Sequence, residues 1–199
     1  MSINTAPEDP RVIRTKKMLA NALLELIAEK NFDSISIGDI TERATLNRAT
    51  FYLHYRDKFD LLDAIMKTMH EEITNRINYY TTYDLENNSL DQPPLAMIEW
   101  FKHIGKHANY YEVMLGKNGI KTFSDEISHY LEEFLLTWLK MTAKKGNKLS
   151  APIDIASCYL ANAYLGLISW WLKNNQPYSP EEISSMLWKL IVNGPLEKP

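Results

Sequence analysis

Arg48, Thr50, Tyr52, His54, Tyr55, Arg56 and Lys58 crowd one short stretch of this chain. Their side chains suit phosphate and base-edge chemistry, because guanidinium and ammonium groups are cationic donors and hydroxyls and imidazole add neutral hydrogen bonds. A second basic group, Arg11, Arg14, Lys16 and Lys17, stands near the N-terminus. If the two groups meet on one surface they make a phosphate-binding footprint; taken singly, each residue is equally an ordinary solvated charge. Net charge does not decide between these, since the whole chain is −3 and residues 1–60 hold 9 basic and 9 acidic side chains. Catalysis has weaker support. No Ser/His/Asp arrangement, glycine-rich phosphate loop or paired carboxylates on a predicted face stands out, so an enzyme is not expected. His103 and His107, four apart on one predicted helix, have the spacing of two metal ligands, but no third ligand is evident, and neither a metal nor a cofactor is expected.

The elements that must position these groups are helices. Ser36 with Asp39 has capping-box spacing, and Ile37, Ile40 and Ala44 then share one helical face. Thr45-Leu46-Asn47 breaks that helix, and Asn47 caps a second one whose Phe51 faces inward, leaving Arg48, Ala49, Thr50, Tyr52 and His54 to the outer face and the helix ends. Helices this short need bracing by others. Upstream, Asp9-Pro10 starts a helix with an apolar stripe over Leu19, Ala22, Leu23, Leu26 and Ile27, stopped at Asn31. Downstream, a helix from Asp57 carries Leu61, Leu62, Ile65, Met69, Ile73 and Ile77 and serves as a connecting rod. Residues 81–92 are polar and predict a loop. Further helices follow: one opened by Pro93-Pro94, a short one around Tyr110 to Leu115, and long ones over 120–144, from Pro152 to about Asn174, and from Pro180 to about Val192, with Gly194 as the stop. The expected fold is all-α, with a three-helix DNA-binding domain over 1–58 and a larger helical domain over 59–199.

The pattern Ile40, Ala44, Asn47, Thr50, Tyr52, Tyr55, Lys58, Leu61 resembles the TetR (tetracycline-repressor-like) transcriptional regulators over about residues 10–65. One place departs from it. Thr45 and Leu46 stand where Gly and Val are usual, and β-branched Thr resists the positive φ that Gly allows, which implies a strained or altered turn. The resemblance implies helix-turn-helix binding of double-stranded DNA. Combined with the chemistry of the bases, it assigns Arg48 to a guanine edge, Ala49 and the Thr50 methyl to a thymine methyl, and Asn47, Thr50, Tyr52, His54, Tyr55 and Lys58 to phosphates. Ser36 joins this set at the helix start, with Lys16 and Lys17 as outer backbone clamps. Tyr55 is equally a candidate for packing against the first helix.

The C-terminal half carries a different set of expectations. The segment 153–174 mixes small and aromatic residues and is apolar nearly all round, so it must be buried on more than one side. With the last helix it suggests a dimer interface through Tyr159, Ala163, Gly166, Trp170, Ile183, Met186, Leu187 and Leu190, which is also how TetR-like regulators pair. Two recognition helices would then read a palindrome about one duplex turn apart, roughly 34 to 36 Å. The run from Gly166 to Gly194 is similar to one subgroup of these regulators. Trp100, Phe101, His103, His107, Tyr110, Tyr111, Met114, Phe123, Tyr130, Phe134 and Trp138 suggest an aromatic interior suited to a small apolar or aromatic effector, although such residues are also ordinary core. The resemblance therefore implies a homodimeric repressor released by an effector; the alternative is an adaptor or coactivator governed by a protein partner.

Composition agrees with a helical protein. The chain has 199 residues, 45% hydrophobic and only 7 Gly, enough for one large core or two smaller ones. Its single cysteine, Cys158, cannot form an internal disulfide, so a reducing cytoplasm is the expected compartment. Residues 1–11 lack the basic start and apolar stretch of a signal peptide, and the apolar run from Ala163 to Leu172 is too short to span a bilayer.

Overall fold

The computed structural model describes residues 9–86 and 90–195, except for the side chains of 75, 78, 79, 81, 82, 85 and 86. The expectations for residues 1–8 and 87–89 lie outside the described residues. Those described form helices without a strand: α1 Pro10–Glu29, α2 Ile37–Arg43, α3 Arg48–Tyr52, α4 Lys58–Glu86, α5 Leu95–Lys106, α6 Ala108–Met114, α7 Lys121–Lys144, α8 Ile153–Lys173 and α9 Pro180–Asn193, with a 3₁₀ turn over Phe32–Ser34.

The helix starts follow from local chemistry. Asp9 accepts from the Arg11 amide and Pro10 opens α1 with a fixed φ. Ser36 and Asp39 complete a reciprocal capping box on α2, and Ser179 with Glu182 does the same on α9. Gly194, at φ 77°, ends α9 in the left-handed region.

Two compact units result: Met1–His70 with Lys117–Gly119, and Glu71–Gly116 with Ile120–Pro199. The division falls inside α4, between His70 and Glu71. In the first unit α1 packs on α2 and α2 on α3, around Leu19, Leu23, Ile27, Ile40, Phe51 and Leu61, all fully buried. Arg43 on α2 bonds Glu29 (2.8 and 2.9 Å) and Glu25 (3.2 Å) on α1. Lys30 meets Asp39 at 2.9 Å, and the Asn118 amide donates to the Ala28 carbonyl at 3.1 Å.

In the second unit α7 runs along α8, α5 packs on α9, and α6 also meets α8. Gly105 permits a close approach of α5, because a Cβ there would stand 3.0 Å from the Trp171 ring. Phe101 meets the same ring edge-on at 5.4 Å. Asp84 accepts from the Leu95 and Ala96 amides at 2.9 and 2.7 Å and so caps α5 from α4. The expected loop over 81–92 is thus partly wrong, since α4 continues to Glu86 before the chain turns; a stretch of polar residues is compatible with a helix whose outer face is solvated. The apolar run 163–172 lies within α8. α8 is 21 residues, long and apolar enough by composition to cross a membrane, but Leu160, Tyr164, Ile168 and Trp171 are buried within the chain's own core.

Candidate nucleic-acid interface

Asn47 builds the start of the recognition helix. Its side-chain oxygen accepts from the Thr50 amide at 2.7 Å and from the Thr50 hydroxyl at 2.9 Å, which ties down one orphan amide of α3. Phe51, 0% exposed, anchors the inner face. Arg48, Ala49 and Tyr52 are left exposed, with Thr50 half-buried. Leu53, 79% exposed, adds an apolar tip that sequence reasoning did not single out; its place between Tyr52 and His54 was the available signal.

The turn before α3 keeps the conformation that a glycine would favour. Thr45 sits at φ 55°, where a Cβ clashes with its own carbonyl at a cost of roughly 1–2 kcal/mol. The Leu46 amide donates to the Thr41 carbonyl at 2.8 Å and closes the turn. The strain reading was therefore right in kind, and the backbone path is kept in spite of it.

Beside α3, the end of the Arg48 guanidinium rests over Gly38, where an added Cβ would come within 2.6 Å of it. Arg11, Arg14 and Lys17 are exposed along α1 and, like Arg48, make no ion pair among the described residues. Lys16 is half-buried and has a partner. Other cations nearby are engaged: Arg43 with Glu25 and Glu29, Lys30 with Asp39, and Arg56 with Asp60 at 3.4 Å.

Several expected contacts change role. Lys58 does not reach outward, since its ammonium donates to the carbonyls of Phe32, Asp33 and Ile35 at 2.8, 2.9 and 2.9 Å. Those bonds use all three of its donors. His54 lies beyond α3, which ends at Tyr52, and Tyr55 packs its ring 5.9 Å from Phe51. Ser36 is half of the capping box, with its hydroxyl oxygen accepting from the Asp39 amide at 3.1 Å.

In the second unit several of the expected aromatic residues pack on one another. A cavity of only about 10 Å³, lined by Ile77, Ala96, Met97, Trp100, Leu131, Phe134 and Tyr164, is room for a single water. Trp100 and Phe134 alone among the expected pocket residues line it. Phe101, His103, Tyr110, Tyr111, Met114, Phe123 and Trp138 are buried in packing instead, with Tyr110 edge-on to Tyr111 and Phe123 at 5.1 and 5.4 Å and Tyr111 tilted against Phe123 at 6.2 Å. Tyr130 is 38% exposed. His103 and His107 do not share a helix, because α5 stops at Lys106 and His107 forms the joint with α6. A third ligand-type residue, Glu72 on α4, lies beside them.

Of the expected interface residues, Tyr159, Gly166, Trp170, Met186 and Leu190 are exposed and Ala163 is half-buried. Ile183 and Leu187 are instead buried in the chain's own core, at 1% and 2% exposed. A helix apolar on two faces offers no sequence signal for which face turns inward.

An all-α chain whose N-terminal unit presents a capped recognition helix after a tight turn is a helix-turn-helix DNA reader. The family model of the transcriptional regulator C-terminal region matches residues 91–193, and that of bacterial regulatory proteins of the tetR family matches residues 19–65. The chain belongs to the TetR family and is a sequence-specific DNA-binding transcriptional regulator. It is 21% identical over 188 residues to the HTH-type transcriptional regulator YhgD of Bacillus subtilis, covering 92% of this chain and 97% of that protein. It is 23% identical over 170 residues to YxbF, another HTH-type regulator of Bacillus subtilis, covering 85% of this chain but spanning only 43% of that protein. Among solved structures, the fatty acid degradation regulator FadR from Bacillus halodurans superposes with a TM-score of 0.67 at 15% identity, covering 97% of this chain and 100% of that one.

Proposed function

We propose that the chain works as a homodimeric, cytoplasmic repressor that holds a palindromic operator and is released by a ligand bound in its second unit. The observation that carries the dimer is the stripe of Ile155, Tyr159, Gly166 and Trp170 on α8, exposed on one face at helical spacing and joined by Met186 and Leu190 exposed on α9. Large exposed apolar side chains in register mark a surface that another chain covers. Two copies joined there carry two recognition helices, as a two-fold operator requires.

On the DNA, Arg48 reads a guanine edge and Ala49 a thymine methyl, while Arg11, Arg14 and Lys17 neutralise phosphates. The ligand acts by preferring one placement of α4, and with it one separation of the reading heads. Control by a protein partner is not favoured by the comparisons. Selection of random duplex DNA on the purified chain, repeated across a salt series, tests the reading. An enriched palindrome supports it, and no enrichment at any salt overturns it.

A further inference from the structure

Glu72 on α4, His103 on α5 and His107 at the joint of α5 and α6 place one carboxylate oxygen and two imidazole nitrogens within 4.8 Å of one another. All three belong to the second unit. His103 is 1% exposed, and its Nε2 is buried without a hydrogen-bond partner. The Nε2 of His107 is 3.0 Å from a Glu72 oxygen yet lacks the alignment of a hydrogen bond. Buried polar atoms are normally paired, so the unpartnered Nε2 of His103, in a cluster with His107 and Glu72, asks for an occupant that accepts a lone pair.

We propose that Glu72, His103 and His107 hold one divalent first-row transition cation of the Zn(II) type. Two imidazoles and one carboxylate suit Zn(II), Co(II) or Ni(II), whereas Mg(II) and Ca(II) favour oxygen cages. Three protein ligands leave a fourth position to water. Ligand atoms about 2.0–2.2 Å from such an ion stand roughly 3.3–3.5 Å apart in a tetrahedron, so small side-chain rotations close the cluster. Supporting contacts are in place. Lys106 donates to the other Glu72 oxygen, and the Tyr111 ring meets His103 edge-on at 5.7 Å, fixing its plane. Such outer contacts orient ligands in metal sites. The charges of Lys106 and Arg76 act against a dication here, which selects for a cation bound through strong nitrogen bonds over one held by Coulomb attraction alone.

The site also names a ligand for the proposed repressor, and this half rests on that reading. A cation tethers α4, the helix that continues from the first unit, to the α5–α6 joint, and thereby sets the affinity for DNA.

The test is a Co(II) titration of the untagged, chelator-treated full chain followed by visible absorption, together with Zn(II) melting curves and Zn(II)-dependent binding of the selected duplex. Glu72→Gln and His107→Gln are the variants, since both side chains are partly exposed (29% and 19%) and a change there spares the core. The expected result is one Co(II) per chain with the visible band of a tetrahedral ion, weakened at least about tenfold in both variants. Zn(II) should raise the melting temperature of the parent chain alone, as a ligand of the folded state does. Absence of the band, or equal uptake by parent and variants, overturns the site. Uptake with no change in duplex affinity overturns the regulatory half. Failure to bind the duplex with or without metal overturns the repressor reading and leaves the metal site standing on the titration.

Discussion

The ammonium of Lys58 donates to the Phe32 carbonyl at 2.8 Å while standing 4.7 Å from the centre of the Phe32 ring. With its bonds to the Asp33 and Ile35 carbonyls, it satisfies the 3₁₀ turn and pins the start of α4 to the chain leading into α2. Charged hydrogen bonds contribute about 1.5–3 kcal/mol each, so Lys58→Ala should cost on the order of 2–3 kcal/mol of stability. The salt dependence of DNA binding should stay unchanged in the surviving folded fraction. Urea unfolding with parallel salt titrations measures both, and a flattened slope at full stability would return Lys58 to the phosphates.

Arg48→Ala should alter which sequences are bound, because a bidentate guanine contact carries discrimination of about 1–3 kcal/mol. Lys17→Ala should weaken all sequences alike and reduce the logarithmic salt slope by about one unit. Parallel selections with the two variants decide the matter. Identical losses on every sequence would remove Arg48 from base reading.

Gly166 is exposed on α8 with nothing near the position of a Cβ. Gly166→Leu should therefore leave the protomer folded, with helix propensity improved by roughly 0.5–1 kcal/mol, yet push apart two copies joined there. Sedimentation should show the mass of a single chain. A sedimentation profile unchanged from the parent would move the interface elsewhere.

The Asp39 carboxyl is held down at about 2, first by the hydrogen bond from Lys30 and then by those from Ser36. Because its folded pKa lies below the unfolded value near 3.8, it adds stability above about pH 4 that is lost as pH falls through 2. Asp39→Asn should flatten that part of an acid-unfolding curve. The same slope in parent and variant would mean that another carboxylate carries it.

Thr45→Gly should stabilise the chain by up to about 1 kcal/mol, the relief at φ 55° being partly offset by the greater freedom of glycine when unfolded. Thermal melting checks this. A lower melting temperature would show that the Thr45 side chain contributes contacts that outweigh its strain.

Helix starts, the turn and the family pattern were legible in the residues because capping and periodicity are local. Asn47 reaches Thr50 three residues on, Ser36 reaches Asp39, and Asp9-Pro10 opens α1, all within a single turn of backbone. The outward set Arg48, Ala49 and Tyr52 follows from Phe51 facing in. Partnership across the chain was not legible. Sequence alone placed Lys58 among phosphates, whereas tertiary structure turned it onto carbonyls 23 to 26 residues away. Ile183 and Leu187 share their apolar character with Leu190, and only the packing of α9 on α5 put them in the core and left Leu190 outside. Glu72 lies far from His103 and His107 in sequence, so the three-ligand cluster exists only once α4 is folded beside the α5–α6 joint. Short-range hydrogen bonding and helical period are properties of neighbouring residues, and they made the elements predictable. Which face turns inward, and which distant side chains meet, depends on how helices pack, and that was decided by the tertiary structure.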